Sequence, residues 1–600
     1  MTNKSSKARQ IVQSWLTKFD KSLAEGDISS TIELFKHDCF WRDFVAFTWN
    51  IRTLEGHEEI KNMLSANLAS IEPKGWLIDE EPTETDGITE AWLRFETATT
   101  RGRAILRIID GKAWTLLTTA EELKGFEEPK GHRRPKGTTH GAYKRDKNWF
   151  EKKLEYEKNL GYSIQPYCLV IGGGQGGIAL GARLKQLGVP TIIVEKNARA
   201  GDSWRNRYRS LVLHDPVWYD HLPYIPFPDT WPIFTPKDKL GDWLEMYTKV
   251  MELNYWGSTE CIHASYDENN SEWHVDVLRD GTPVTLKPKQ LVFATGAYGP
   301  PNIISLPGIE TFSGQHFHSS SYKTGAAYEG KHCIIIGANS SAHDIAADLY
   351  EFGAKVTMLQ RSPTTVIKSE TLMDVAFNNL YSQNAVESGI STDKADLIFA
   401  ATPLKIMPVF QKPLYDEMRR RDASFYKRLE RVGFRVDFGE DESGLMMKAM
   451  RSGSGYYIDV GASDLIADGH IAIRSGVEIK NVKANSVELT DGTELGADVI
   501  VQATGYQSMN RMVAKIVSNE MADKVGKCWG LGSGFAKDPG PWEGEPRNMW
   551  KPTQQTGLWF HGGNLHLSRH FSQLLAIQIK ARMECIPTPV FGMRTVHHKC

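Results

Sequence analysis

The sequence predicts an α/β protein with two nested Rossmann-type dinucleotide-binding domains, preceded by an α+β cone domain. Three stretches carry that prediction. CLVIGGGQGGIALGARLKQLGVPTIIVEK and HCIIIGANSSAHDIAADLYEFGAKVTMLQRSP each read strand, glycine turn, helix, strand, the alternation of a parallel sheet. Ahead of them, Ile11, Trp15, Phe19 and Leu23 recur at helical spacing. ITEAWLRFETA, RGRAILRIID and DGKAWTLLTTAEEL then alternate apolar and polar residues, as half-buried strands do.

A chain of 600 residues exceeds what one hydrophobic core organises, so about two to four domains are expected. The composition places the cone in residues 1–125 and a charged linker with one helix in 126–165. The first part of one dinucleotide domain follows in 166–325, and the second domain, with an inserted substrate-side segment, in 326–500. Residues 501–600 are expected to close the first domain and form a tail. A formal net charge of −2 gives no ground for nucleic acid or an anionic membrane as partner. The seven cysteines include no CxxC pair, so neither a metal site nor a redox-active dithiol is expected. The N-terminus is polar and no apolar run approaches the roughly 18 residues of a spanning helix, which predicts a cytoplasmic chain with reduced thiols.

In the first signature, strand Cys168–Ile171 leads into Gly172, Gly174 and Gly177, the three positions of GxGxxG. Gly172 permits the tight turn, Gly174 lets backbone approach a pyrophosphate, and Gly177 allows the helix to pack closely on the strand. The helix N-terminus offers free N–H groups to the phosphates. Glu195, at the end of the second strand, can accept hydrogen bonds from a ribose diol.

The second signature keeps Gly337 but places Asn339 and Ala342 at the next two positions. Asn tolerates left-handed backbone, and Ala still permits close packing. Ser340 opens the helix between them and joins the expected ligand contacts. Its second strand ends at Gln360 and Arg361 where a carboxylate would otherwise stand, and a cation there suits the ribose 2′-phosphate of NADPH. Two nested nucleotide folds in one chain imply electron transfer from NADPH to a bound flavin. LVFATGAYGPP and DVIVQATGYQS, apolar strands that both end in Ala-Thr-Gly, are expected to return the chain to these domains.

FSGQHFHSSSY lies between the two signatures and matches the pattern FxGxxxHxxxY/F at Phe312, Gly314, His318 and Tyr322. With it, the chain resembles the class B flavin-dependent monooxygenases, most of all the flavin-containing monooxygenases and the plant YUCCA group. The resemblance spans residues 166–585, roughly 70% of the chain. GDSWRNRY resembles a family segment that implies flavin contacts from Trp204 and Arg205. YRSLVLHDP places His214 where animal relatives carry an asparagine above the flavin. FWRDFVAFTWNIRTLEGHEEIKNML, outside that span, resembles the SnoaL-like cone domain. The cone implies a structural or homodimer role, with Asp43 and His57 as an acid–base remnant in the sharper reading.

The resemblance implies FAD and NADPH as cofactors, and O2 and a small organic molecule as substrates. One oxygen atom would be inserted through a C4a-hydroperoxyflavin, by N- or S-oxygenation or by oxidative decarboxylation of a 2-oxo acid. His214 and Asn339 are the candidates for stabilising the reacting peroxide, and His318 is read as a structural tie. Baeyer–Villiger oxidation of ketones is the nearest alternative, although those relatives carry Trp where this chain has Tyr322. A flavin-loaded scaffold without catalysis is the alternative from another class.

Overall fold

The computed structural model describes residues 2–138, 140–141, 146–296 and 298–599. Met1, parts of the predicted linker, Ala297 just after the first Ala-Thr-Gly, and Cys600 lie outside the described residues.

The leading helix spans Thr2–Ala24. It buries Val12, Trp15, Leu16, Phe19 and Leu23, while Ile11 sits at the rim, so the stripe is one residue out of the expected register at its start. The stripe packs on a seven-stranded sheet. Its main path runs Ile51–Glu55, Phe35–Phe44, Lys112–Leu123, Thr100–Ile109, Ile88–Glu96 and Lys74–Ile78. Along that path only the pair Phe35–Phe44 with Lys112–Leu123 is parallel. Trp15, Phe19, Phe35, Trp41 and Trp76 meet edge-on or stacked between helix and sheet, a geometry that contributes beyond area burial.

The first dinucleotide fold is a five-stranded parallel sheet in the order Tyr255–Trp256, Thr191–Val194, Cys168–Ile171, Gln290–Phe293, Leu558–Phe560. All four residues of Cys168–Ile171, Thr191–Val194 and Gln290–Phe293 are buried, as expected for strands covered on both faces. The second is a parallel sheet ordered Gln315–His318, Val499–Gln502, His332–Ile336, Lys355–Gln360, Ala472–Ser475. It is inserted between strands Gln290–Phe293 and Leu558–Phe560 of the first. The two crossings between folds, Tyr298–Pro301 and Tyr506–Ser508, pair antiparallel. Two expected boundaries differ from this arrangement. Gln315–His318 hydrogen-bonds into the second sheet rather than the first, and the 500/501 division falls inside strand Val499–Gln502. Backbone pairing decides membership there, and composition does not reveal it.

The N-terminal sheet is bound to the rest of its own chain by a buried ion pair. Arg42 Nε and Nη2 donate to Glu545 at 2.6 and 2.7 Å, and Arg42 Nη1 donates to the Ala400 carbonyl at 2.7 Å. Phe44 packs edge-on against Phe571 of the long helix Leu565–Met583. Among the described residues no helix is long and apolar enough to cross a membrane.

Candidate active site

A cavity of about 2170 Å³ runs between the two dinucleotide folds and touches both glycine turns. A single-ligand site usually measures roughly 300–1,000 Å³, so this one has room for two dinucleotides and a substrate.

Gly172 lies at φ +108°, and a Cβ there would stand 2.4 Å from the Ala294 carbonyl oxygen. At Gly177 a Cβ would stand 2.0 Å from the Gly172 carbonyl oxygen, so any side chain would push helix Gln175–Gln186 off its strand. Gly174 is different. Its backbone is extended and a Cβ would meet nothing closer than Ser203 Oγ at 3.7 Å, which leaves the helix N-terminus open to the cavity. Ser203 Oγ and Thr295 Oγ1 on the same wall are buried without a hydrogen-bond partner, as expected of groups that face a polar ligand. Glu195 is held rigidly: Oε2 accepts from the Gly173 N–H at 2.8 Å and Oε1 from Asn197 N and Nδ2. Trp204 lines the cavity with its Nε1 donating to Gln175 Oε1 at 3.2 Å. Arg205, expected at the flavin, turns away instead. It pairs with Asp202, Asp242 and Glu245, because the facing helix Lys237–Val250 presents two of those carboxylates.

In the second turn Gly337 has φ +128°, and a Cβ would lie 2.5 Å from the Ala503 carbonyl oxygen. Asn339 is extended, not left-handed, and its side chain makes no cap bond, so its amide faces the cavity at the start of helix Ser340–Glu351. Ser340 Oγ donates to the Tyr456 carbonyl at 3.2 Å, and Ala342 is buried beneath the helix. Arg361 stands exposed at the cavity rim past the strand end, while Gln360 is buried and donates to the Arg435 carbonyl at 2.9 Å. Both sets of residues fit the dinucleotides the turns imply.

His214 lines the cavity with its Nε2 3.9 Å from Asp215. The FSGQHFHSSSY histidine does not reach the cavity. His318 Nε2 donates to the Gly505 carbonyl at 2.9 Å and Nδ1 accepts from the Ser320 N–H at 3.2 Å, so one connector is tied to the other. Burial holds its imidazole below the usual value, which suits this neutral tautomer. Tyr322 OH donates to Asp348 at 2.5 Å, Phe312 packs against the apolar cluster that includes Leu306 and Ile500, and a Cβ at Gly314 would stand 2.2 Å from the Asp498 carbonyl oxygen. In the N-terminal sheet, Asp43 accepts from the Phe47 and Thr48 N–H groups and the Thr48 and Thr118 hydroxyls, while His57 bonds the Phe35 carbonyl.

Three features of the cavity have no motif in the sequence. Asp220 borders it at 1% exposure with both carboxylate oxygens unpartnered. Burial first, and then the Asp215 carboxylate, push its carboxyl well above the usual range, with Arg569 opposing. Lys537 lies beside Arg361 on the wall, its amine lowered by burial and then by Lys448 and Arg361. Trp114 and Arg107 bring the N-terminal sheet to the same wall, where Arg107 Nη1 donates to Thr402 Oγ1 at 3.1 Å. Next to Asp220, Arg569 forms a bidentate pair with Asp396 at 2.8 and 2.9 Å and donates to the Tyr219 and His221 carbonyls, which anchors helix Leu565–Met583.

Residues 169–412 match the family model described as pyridine nucleotide-disulphide oxidoreductase. The cysteines described are free. Probable indole-3-pyruvate monooxygenase YUCCA3 of Arabidopsis thaliana is 29% identical over 348 residues, 57% of this chain and 73% of the relative. Indole-3-pyruvate monooxygenase YUCCA1 of Oryza sativa subsp. japonica is 29% identical over 346 residues, 57% of this chain and 77% of the relative. The ε-caprolactone-bound structure of cyclohexanone monooxygenase superposes with a TM-score of 0.50 at 17% identity, covering 70% of this chain and 88% of that one, a likeness of fold. Two nested dinucleotide folds opening on one cavity, together with these relatives, identify the chain as an oxidoreductase, a flavin-dependent monooxygenase with FAD and NADPH as its cofactors.

Proposed function

We propose that this monooxygenase acts on a small 2-oxo acid, releasing CO2 by oxidative decarboxylation. The observation that carries the oxygenase part is the single cavity onto which both open helix N-termini face. The substrate class rests on the curated relatives, which are named indole-3-pyruvate monooxygenases. Bound FAD, reduced by NADPH, supplies the electron and oxygen chemistry.

The chain's own residues divide the remaining work. The N–H groups of helix Gln175–Gln186 hold the FAD pyrophosphate, and Glu195 accepts from its ribose. The helix beginning at Ser340 does the same for NADPH, with Arg361 and Lys537 on the 2′-phosphate. Trp204 walls the flavin side and helps keep water out. His214 and the Asn339 amide donate hydrogen bonds at the reacting end. Asp220, whose carboxyl is pushed well above the usual range by burial and by Asp215, is placed to give a proton to the oxygen that gains charge. Phe312, Gly314, His318 and Tyr322 do not touch the reaction; they fix both crossings to the second sheet. The N-terminal unit, which we read as a SnoaL-like cone, braces the cavity through Arg42 and supplies part of its wall.

The test is NADPH and O2 consumption by the purified, FAD-loaded protein against indole-3-pyruvate, phenylpyruvate, sulfides, amines and cyclohexanone. One CO2 per NADPH with a 2-oxo acid is expected. Coupled turnover of cyclohexanone to a lactone with none from 2-oxo acids would replace this reading with Baeyer–Villiger oxidation.

A further inference from the structure

Away from the large cavity, the C-terminal tail crosses the N-terminal sheet and closes a second cavity of about 50 Å³. The Phe591 N–H donates to the Thr48 carbonyl at 2.8 Å, and the Phe591 carbonyl accepts from Asn50 Nδ2 at 2.9 Å. Farther on, Gln554 Nε2 donates to the Arg594 carbonyl at 2.8 Å, and the Lys527 N–H donates to the His598 carbonyl at 3.1 Å. The N-terminal sheet, the 525–554 segment and the tail therefore meet around one space.

Its walls are cationic. Arg52, Lys527, Arg547, Lys551 and Arg594 line the space with one carboxylate, Glu543; Arg547 is itself paired, with Glu543 at 2.7 Å and with Asp538 at 3.1 Å, which leaves the other four cations without a carboxylate of the lining to themselves. Arg52 is the decisive residue. Its side chain is 8% exposed, only Nη2 approaches an acid (Glu59 at 3.6 Å), and Nε and Nη1 are buried with no hydrogen-bond partner. A Cβ on Gly592 would lie 3.1 Å from Arg52 Nε, so the tail rests directly on the guanidinium. A buried cation with idle N–H groups is unfavourable unless something supplies both charge and acceptors. The cations also act on one another. Burial and then Arg594 hold Arg52 below its usual value, against Glu59, Glu545 and Glu55. The Lys551 amine is lowered to about 8 by burial, with Glu545 and Glu543 opposing and Arg52 and Arg594 adding.

We propose that this cavity binds a phosphate-type oxyanion, free or as the terminal group of an organic phosphate, and that the anion clamps the C-terminal tail to the N-terminal domain. Water could satisfy the idle N–H groups but would leave the excess charge. A tetrahedral dianion answers both, and the guanidinium fork matches its oxygens. Size agrees: a water needs about 10–15 Å³ by the same kind of measure, so the space suits one small oxyanion and not a nucleotide. The dinucleotide phosphates are served elsewhere, at the two glycine turns and Arg361.

The experiment uses the full-length FAD-loaded protein with saturating NADP+, so that its own phosphate sites are filled. Inorganic phosphate is titrated at constant ionic strength against chloride, followed by 31P line width and by melting; glycerol 3-phosphate is run in parallel. Saturable binding is expected, with melting raised by about 1–3 °C at tenfold excess over Kd. Arg594→Gln and Lys551→Gln should each weaken phosphate binding by about tenfold or more. Arg52→Gln should abolish it, and if that variant fails to fold the other two decide. A response to glycerol 3-phosphate as well marks an organic phosphate as the source, and a response to free phosphate alone marks the ion. No saturable binding, an equal effect of chloride, or unchanged affinity in Arg594→Gln and Lys551→Gln overturns the proposal.

Discussion

Asp220 and Arg361 are the two side chains whose charge state matters most to the proposed chemistry. The native pKa of Asp220 is raised, so the native state keeps a proton that the unfolded chain loses above about pH 4. Its contribution is therefore full below that pH and falls as pH rises toward the native value. Asp220→Asn removes this penalty, and melting scans at pH 4 and pH 8 should show the variant gaining on wild type at the higher pH only. Turnover should fall by about 10²-fold or more, because Asn cannot release a proton. Unchanged turnover would remove Asp220 from the mechanism. Arg361→Gln should raise the KM for NADPH by about 10- to 100-fold and leave that for NADH nearly unchanged, the loss expected for a charge-assisted phosphate contact. Steady-state kinetics with both nucleotides checks this.

At the scale of elements, the glycine turns and the connector are built by close approach. A Cβ at position 177 would overlap the Gly172 carbonyl, so Gly177→Ala should purify largely without flavin, read directly from the absorbance near 450 nm. His318 has the opposite character, since its ring spends both nitrogens inside the protein. His318→Ala should keep FAD but release more hydrogen peroxide per NADPH, because the crossings at 298–301 and 506–508 lose their tie to the second sheet. Peroxide yield measured against product separates this from a direct catalytic loss. Helix Leu565–Met583 owes its place to the Arg569–Asp396 pair, which no local pattern in either segment announces.

For the whole molecule, the contact between the N-terminal sheet and the flavin module is polar at its centre. Arg42→Met leaves Glu545 buried with Thr53 as its remaining side-chain partner and should cost about 3–5 kcal/mol by denaturant unfolding. Arg42→Met combined with Glu545→Leu should recover most of that loss, since neither partner of the ion pair is then left behind alone. If the double variant is as unstable as the single one, packing rather than charge governs this contact. The same contact brings Trp114 and Arg107 to the large cavity, so the N-terminal unit forms part of its wall.

The sequence by itself determined the two dinucleotide folds and their glycine turns, and it placed Glu195 and Arg361 just past the ends of their second strands. These features depend on short-range rules: a turn that admits no Cβ, a helix that follows at once, a strand end that must carry an acid or a cation. Local patterning also placed the first helix and the alternating strands, but put Ile11 on the buried stripe where Ala8 and Val12 lie. Tertiary structure alone decided that Gln315–His318 belongs to the second sheet, that Arg205 faces acids instead of the cavity, and that Asp220, Lys537 and Trp114 reach its wall. It also decided that Arg52 and Lys551, 499 positions apart in the sequence, share one small cavity. The physical reason is the same in each case. Burial and charge environment depend on which distant segments pack together, and no spacing within a segment records that.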